Sequence, residues 1–415
     1  MLKRILLVAV IAIAIGVIAS LLSLLFVYAV ESMSGVLGIS AGSRSEQTIG
    51  PGTLLVWVLV PALGGLVVGL LCSKNEDGQP LTLVDTIRSA QSMTFTTPLR
   101  NALNTALAAV VALGTGNSVG QYGPLAHLGS SIGLAARTIT RDTGFTATMG
   151  LGCGAAAAIS TAFNAPIAGL VFAHEVILRH YSLRSFAPIT VSAVVGYLFA
   201  NHVFYRPPIF QLLDPMPVSS SEFLVFVIIG VLGAYIAMLL VKSVLAAGHI
   251  ARKIPGPSYS KPAIAGAVVG IAGIWLPEVL GIGEETMREV LLGEGFPALH
   301  LAIILVAKLV LTALCLGFGM AGGIFSPALF IGIMFGAVAG LVAEPILGNY
   351  FSSLTPYVIC GMVAVASPVI GAPLTAILIV FELARNYDLA VAAMVSVVFA
   401  NLVGYQLMGR SIFDI

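Results

Sequence analysis

Eight stretches of this chain, at about 5–30, 52–72, 187–207, 222–246, 261–280, 298–316, 328–347 and 388–408, are apolar for long enough to cross a lipid bilayer, which takes roughly 20 residues per helix. A segment inside hydrocarbon has no water to satisfy its N–H and C=O groups, so it must pair them within itself, as a helix. The expected fold is therefore all-α and integral to the membrane, and composition agrees: 58% of residues are hydrophobic, 9% are charged and the mean hydropathy is +1.05. The first run, MLKRILLVAVIAIAIGVIASLLSLLFVYAV, is too long for a secretory leader and no A-x-A-like site follows it. It reads as the first membrane helix, with Lys3 and Arg4 on the cytoplasmic side. A net charge of +1 gives no field that would draw nucleic acid. Cys72, Cys153, Cys315 and Cys360 stand singly, without the spacing of a metal or redox site, and read as packing residues. No metal or cofactor is expected.

Other apolar segments are too short or too rich in glycine to be clean spans, at about 101–116, 124–137, 148–164, 165–180, 325–340, 355–368 and 373–385. Broken segments in matching places of two halves mark the transport site of a repeat-built transporter. Here they match. NAPIAGLVFAHE (Asn164 to Glu175) and GAPLTAILIVFE (Gly371 to Glu382) share an Ala-Pro start, an apolar run and a final glutamate. GQYGP (Gly120 to Pro124) echoes GIFSP (Gly323 to Pro327). The two offsets, 373 − 166 = 207 and 327 − 124 = 203, are each close to half of 415. The chain 1–415 is thus expected to be a single membrane domain made of two versions of one unit, 1–210 and 211–415, and the residues alone leave open whether the versions are parallel or inverted.

The segment GNSVGQYGP (116–124) interrupts the oily chain with glycine and polar groups, then gives way to the apolar run LAHLGSSIGLAARTI. It reads as a loop turning into a helix, with proline in the first turn where its missing N–H costs nothing. GIFSPALFIGIMFGAVAG has the same form. Each helix start offers unpaired N–H groups and the positive end of a dipole, a place for an anion, and glycine lets backbone come close to it. Two such turns at repeat-related positions are expected to face one shared cavity. The bland alternative is a pair of packing kinks. A water channel of paired half-helices would show Asn-Pro-Ala twice, where this chain has Asn-Ala-Pro and Gly-Ala-Pro. GNSVG fits a hydrolase nucleophile pattern without its strand-to-helix setting, and HEVIL lacks the second histidine of a zinc protease, so no enzyme is expected.

In order and spacing, GQYGP, GAAAAISTAFNAPIAG (Gly154 to Gly169), AGGIFSPALFIG (Ala321 to Gly332) and GAPLTAILIVFELARNYDL (Gly371 to Leu389) resemble the CLC family of chloride channels and chloride/proton exchangers. The resemblance covers the whole membrane domain. It implies an inverted-repeat fold of many tilted and broken helices, a homodimer in the lipid bilayer, and one chloride pathway per subunit. It further implies a multi-pass protein of a prokaryotic inner membrane, since the cytoplasmic nucleotide-binding domains of many eukaryotic members are not in this sequence. Gly323, Ile324, Phe325 and Ser326 match the family's central anion turn, and Ile324 and Phe325 would offer backbone N–H groups to the ion. The final SIFDI resembles the segment that supplies a pore tyrosine, with Phe413 in its place, so that hydroxyl is lost. The inner serine turn of the family falls near 76–80, where EDGQP carries no serine and Gln79 or a backbone group would have to serve.

The largest departure lies at Gly120, Gln121, Tyr122 and Gly123. The family carries a glutamate at the Tyr122 position, as outer gate and proton acceptor. A tyrosine titrates near pH 10, so at about neutral pH it takes up no such role. Passive, channel-like chloride conduction is the expected activity. The alternatives are proton-coupled exchange by an unusual route through Glu175 and His174, and a non-transporting scaffold. Glu175 matches the family's internal proton-transfer glutamate, and it reads equally as a structural hydrogen-bonding residue. Tyr122 either plugs the outer mouth or lies aside; an aside or mobile ring is favoured, because a fixed plug has no titratable trigger. His127 is expected to be packed or hydrogen-bonded, and Glu284 and Glu285 to lie in a solvated loop.

Overall fold

The computed structural model describes residues 2–39, 51–92, 99–140, 145–205, 218–293 and 295–409, and every regular element among them is helical. The α-helices are α1 Leu2–Leu37, α2 Pro51–Cys72, α3 Leu83–Ser92, α4 Leu99–Gly114, α5 Tyr122–Ile139, α6 Ala147–Phe163, α7 Pro166–Phe172, α8 Leu183–Leu198, α9 Phe223–Lys253, α10 Lys261–Trp275, α11 Glu284–Leu291, α12 Ala298–Gly317, α13 Phe325–Leu347, α14 Leu354–Ile370, α15 Pro373–Ala384 and α16 Tyr387–Met408. α7 runs on through a π-helical stretch, Ala173–Leu178, and α8 through another, Phe199–Val203.

Seven of the eight long apolar runs become helices of membrane-crossing length. The run at 261–280 falls short: the residue before a proline is driven out of the helical region, so Leu276 before Pro277 takes φ −132 and α10 stops at Trp275. The segment at 325–340, expected to fall short of a clean span, is part of α13, which continues for 23 residues and is buried on nearly every side. GIGEETMREV is no loop. Gly283 turns the chain in the left-handed region at φ 78, and Glu284 and Glu285 occupy the first turn of α11, where the helix dipole favours acids. Arg288 reaches back to Glu284 at 3.5 Å.

The repeat is written in the backbone. Left-handed residues recur in pairs, Gly78 with Gly281, Gly116 with Gly319, Asn164 with Gly371, Arg179 with Arg385 and Tyr205 with Gly409, at separations from 203 (281 − 78) to 207 (371 − 164). Helices α1 to α8 thereby answer α9 to α16 in order, and the expected boundary at 210/211 lies outside the described residues. The repeat is inverted. α1 starts on one side of the membrane at Lys3 and Arg4, so α2 returns to that side at Cys72; one cavity then joins Cys72 with Arg252 at the end of α9 and Lys261 at the start of α10. α9 therefore runs toward the side that its counterpart α1 leaves.

The centre of the molecule is α6 and α14, buried along Met149–Phe163 and Pro356–Ile370, each packed on a partner, α5 and α13. Glycine permits that closeness: a Cβ on Gly133 would strike the carbonyl of Gly150, and one on its counterpart Gly336 the carbonyl of Tyr357. Around this centre α1, α2, α9, α12 and α16 present Leu25, Leu63, Leu232, Val306 and Leu402 outward, as helices facing lipid do. The four cysteines are buried and unpaired.

Candidate functional site

The two glycine-proline turns do not face each other across a gap; they touch. Gly120 N–H donates to Gly323 O at 2.8 Å and Gly323 N–H donates to Gly120 O at 2.7 Å, an antiparallel pair joining the two halves. A Cβ on Gly120 would lie 2.7 Å from Gly323 O and 2.9 Å from Ser326 Oγ. Glycine is thus needed for one backbone to approach another, not to approach an ion. The correction extends to donors: the N–H groups of Gly120 and Gly323 are spent on each other, and that of Gln121 on Ser326 Oγ at 3.2 Å. The amides of Ile324 and Phe325, at the start of α13, have no hydrogen-bond acceptor among the described residues. They remain the donors an anion could take.

A three-ring cluster lies beside this turn, with Phe325 part of both. Tyr122 stacks on Phe163 with centroids 3.9 Å apart and tilts against Phe325 at 5.4 Å, while Phe163 meets Phe325 at 5.5 Å. Tyr122 is 4% exposed, Gln121 2%, Phe325 6% and Ile324 7%. Tyr122 is buried in this stack and lines no open path among the described residues. Gln121 Oε1 is buried without a donor among the described residues, which marks a polar group held for something other than packing. Phe413 lies outside the described residues.

Glu175 and Glu382 hold the two halves together a second time. Glu175 accepts from Leu374 N–H at 3.0 Å and from both Thr375 N–H and Thr375 Oγ1 at 2.7 Å, capping α15. Its counterpart Glu382 accepts from Ile167 N–H at 3.0 Å and Ala168 N–H at 2.7 Å, capping α7. Each carboxylate sits at the positive end of the other half's helix, where a negative charge is favoured. His174 is packed: its Nδ1 donates to His180 O at 3.2 Å and its ring stacks near Tyr181 and Phe186. His127 is buried with Nδ1 2.6 Å from Thr86 Oγ1.

Where α2 and α9 end, a cavity of about 240 Å³ is lined by Arg252, Lys261, Gln79, Phe318 and Gly319. Gln79 reaches the backbone that leads into GIFSP, its Oε1 3.4 Å from where a Cβ on Gly319 would stand. Two cations and an amide thus share one cavity with the backbone that leads into the GIFSP turn, a charge balance that favours anions over cations.

A family profile described as voltage gated chloride channel matches residues 64–405. The chain belongs to the CLC family. Among CLC relatives, a putative chloride channel protein ClcB-like of Ralstonia nicotianae is 27% identical over 368 residues, covering 86% of this chain and 84% of its own. A chloride channel protein CLC-e of Arabidopsis thaliana is 30% identical, covering 86% of this chain and 53% of its own, so this chain spans about half of that relative. An H(+)/Cl(−) exchange transporter ClcA of Salmonella agona is 29% identical over 315 residues, covering 73% of this chain and 65% of its own. Among solved CLC structures, a slow cyanobacterial Cl−/H+ antiporter superposes with TM-score 0.88 at 22% identity, over 98% of this chain and 96% of its own. A CLC-type fluoride/proton antiporter does so with 0.82 at 18%, over 99% and 97%. These place the fold among CLC proteins, which transport anions across membranes.

One residue of the ring cluster was not singled out in the sequence. Phe163 opens the segment FNAPIAG, which reads as a helix start, and nothing local says its ring will meet Tyr122. The second acid of the capping pair, Glu382, was visible as the last residue of GAPLTAILIVFE; only its partner helix was not.

Proposed function

We propose that this CLC protein conducts chloride passively, through a site whose outer side opens when the Tyr122 ring is thermally displaced and not when a carboxylate takes up a proton. One observation carries the reading: the gate position holds a buried phenol stacked on Phe163 and set against Phe325. The acid that would pass protons inward, Glu175, is tied to the start of α15 by three donors, which supports its structural role. The anion would meet Ile324 and Phe325 N–H at the centre and Arg252, Lys261 and Gln79 at the inner mouth. The protein would act as a homodimer in a prokaryotic inner membrane and need no cofactor.

Proton-coupled exchange is the second reading, supported by the relatives and solved structures whose names describe antiporters. Chloride efflux and proton uptake measured together from one liposome preparation separate the two. Efflux without proton movement, unchanged between pH 5 and pH 8, is expected; uphill proton movement in fixed ratio to chloride would overturn the proposal.

A further inference from the structure

Lys308 sits in the middle of α12, fully buried in a membrane helix, with no carboxylate partner among the described residues. Its Nζ donates to Val279 O at 2.9 Å and Gly281 O at 2.6 Å and lies 4.8 Å from the centroid of the Phe330 ring. Two carbonyls and a π face are the surroundings of an ammonium, and none of them cancels its charge. An unpaired ionisable group at this depth calls for a role.

The other half carries no charge at this position. The counterpart of Lys308 is Thr105 (308 − 105 = 203), and its hydroxyl receives Leu81 N–H at 3.1 Å and Asn75 Nδ2 at 3.3 Å. A neutral acceptor thus serves the corresponding segment of the first half, where a cation donates to the carbonyls of the second. What differs is the neighbourhood. Gly281, held by Lys308, donates its N–H to Gly116 O at 2.9 Å, at the head of the GNSVG loop. Thr312, one helical turn beyond Lys308, meets Ser118 Oγ at 3.0 Å, two residues before Gly120. Phe330 follows Phe325 by five residues, about 7.5 Å along α13. Phe330 and the amides of Ile324 and Phe325 belong to one helix, α13, so the ammonium packs against the helix that starts at the GIFSP turn.

We propose that Lys308 is an electrostatic positioning residue: its buried ammonium raises the affinity of the Ile324–Phe325 site for monovalent anions and excludes cations from it. This rests on the anion-transport reading above. For a separation on the order of 10 Å and an effective dielectric of about 20, the attraction is worth roughly tenfold in anion affinity.

The test is bromide binding to the purified protein in detergent, beside chloride efflux and the chloride-to-potassium permeability ratio in liposomes, for the native chain, Lys308→Gln and Lys308→Arg. Glutamine keeps donors for the two carbonyls and removes the charge. Lys308→Gln is expected to weaken bromide binding about tenfold and lower the permeability ratio with the protein still monodisperse, while Lys308→Arg returns both to within about threefold of native, consistent with a Coulomb term of this size. A merely structural lysine predicts lost thermal stability in Lys308→Gln with unchanged bromide affinity in the folded fraction, and that result overturns the inference. Native efflux with charge-independent binding sinks this inference and leaves the transport reading standing. Charge-dependent bromide binding without efflux does the reverse, and no binding by the native chain sinks both.

Discussion

Replacing Tyr122 by alanine removes the ring that closes the candidate site. To let an ion pass, that ring must leave its stack on Phe163 at 3.9 Å and its tilted contact with Phe325 at 5.4 Å. Each such aromatic pair is worth about 0.5–1.5 kcal/mol beyond the area it buries, so the two together hold the gate shut by about 1–3 kcal/mol. At about 1.4 kcal/mol for each factor of ten, the native site is open for roughly one part in five to one part in more than a hundred. Tyr122→Ala is therefore expected to raise chloride efflux by roughly thirtyfold, read with a chloride electrode after detergent release from liposomes in which valinomycin removes the membrane potential. Tyr122→Phe keeps the rings and is expected to remain slow. Truncating a buried aromatic also costs about 3–5 kcal/mol of stability, so the variant is first shown to be folded by gel filtration. A folded Tyr122→Ala protein with efflux within about threefold of native would refute the argument, since a ring lying aside has nothing to release.

Tyr122→Glu returns a titratable gate, and efflux should then rise as the pH falls; with Glu175 engaged on α15, no uphill proton movement is expected, and a pH electrode that records one would restore the relay through Glu175. Glu175→Gln and Glu382→Gln each weaken a charge-assisted cap, and each should lower stability by about 1.5–3 kcal/mol, seen as an earlier thermal transition; a loss confined to one of them would break the proposed equivalence of the halves. Arg252→Gln with Lys261→Gln should slow efflux several-fold at about 0.01 M salt and much less at about 1 M, where the Debye length shrinks from about 30 to about 3 Å; a salt-independent effect would show that the two cations do not act as an inner mouth.

Membrane-spanning helices and the repeat were legible in the sequence because both are carried by local signals. A span is recognised by its own length and apolarity, which needs no partner: Ala298–Gly317 and Pro51–Cys72 sit almost where hydropathy puts them. A repeat is recognised by comparing one stretch with another, and proline, glycine and glutamate at fixed spacing survive as punctuation when the rest diverges. Short amphipathic helices such as α3 and α11 escaped, since they lack the length and apolarity by which a span is recognised.

The site was legible only in its parts. GQYGP and GIFSP named the turns, and NAPIAG and GAPLTA the helix starts, yet each group's role depends on a residue about 200 positions away. Tertiary structure decided that Gly120 and Gly323 would hydrogen-bond each other and leave the amides of Ile324 and Phe325 without an acceptor among the described residues. It decided that Glu175 would cap α15 while Glu382 capped α7. It also set the Tyr122 ring between Phe163 and Phe325. Hydrophobic length and turn chemistry act between neighbours in the chain, whereas a donor's partner and a ring's exposure are fixed only when the two inverted halves close on each other.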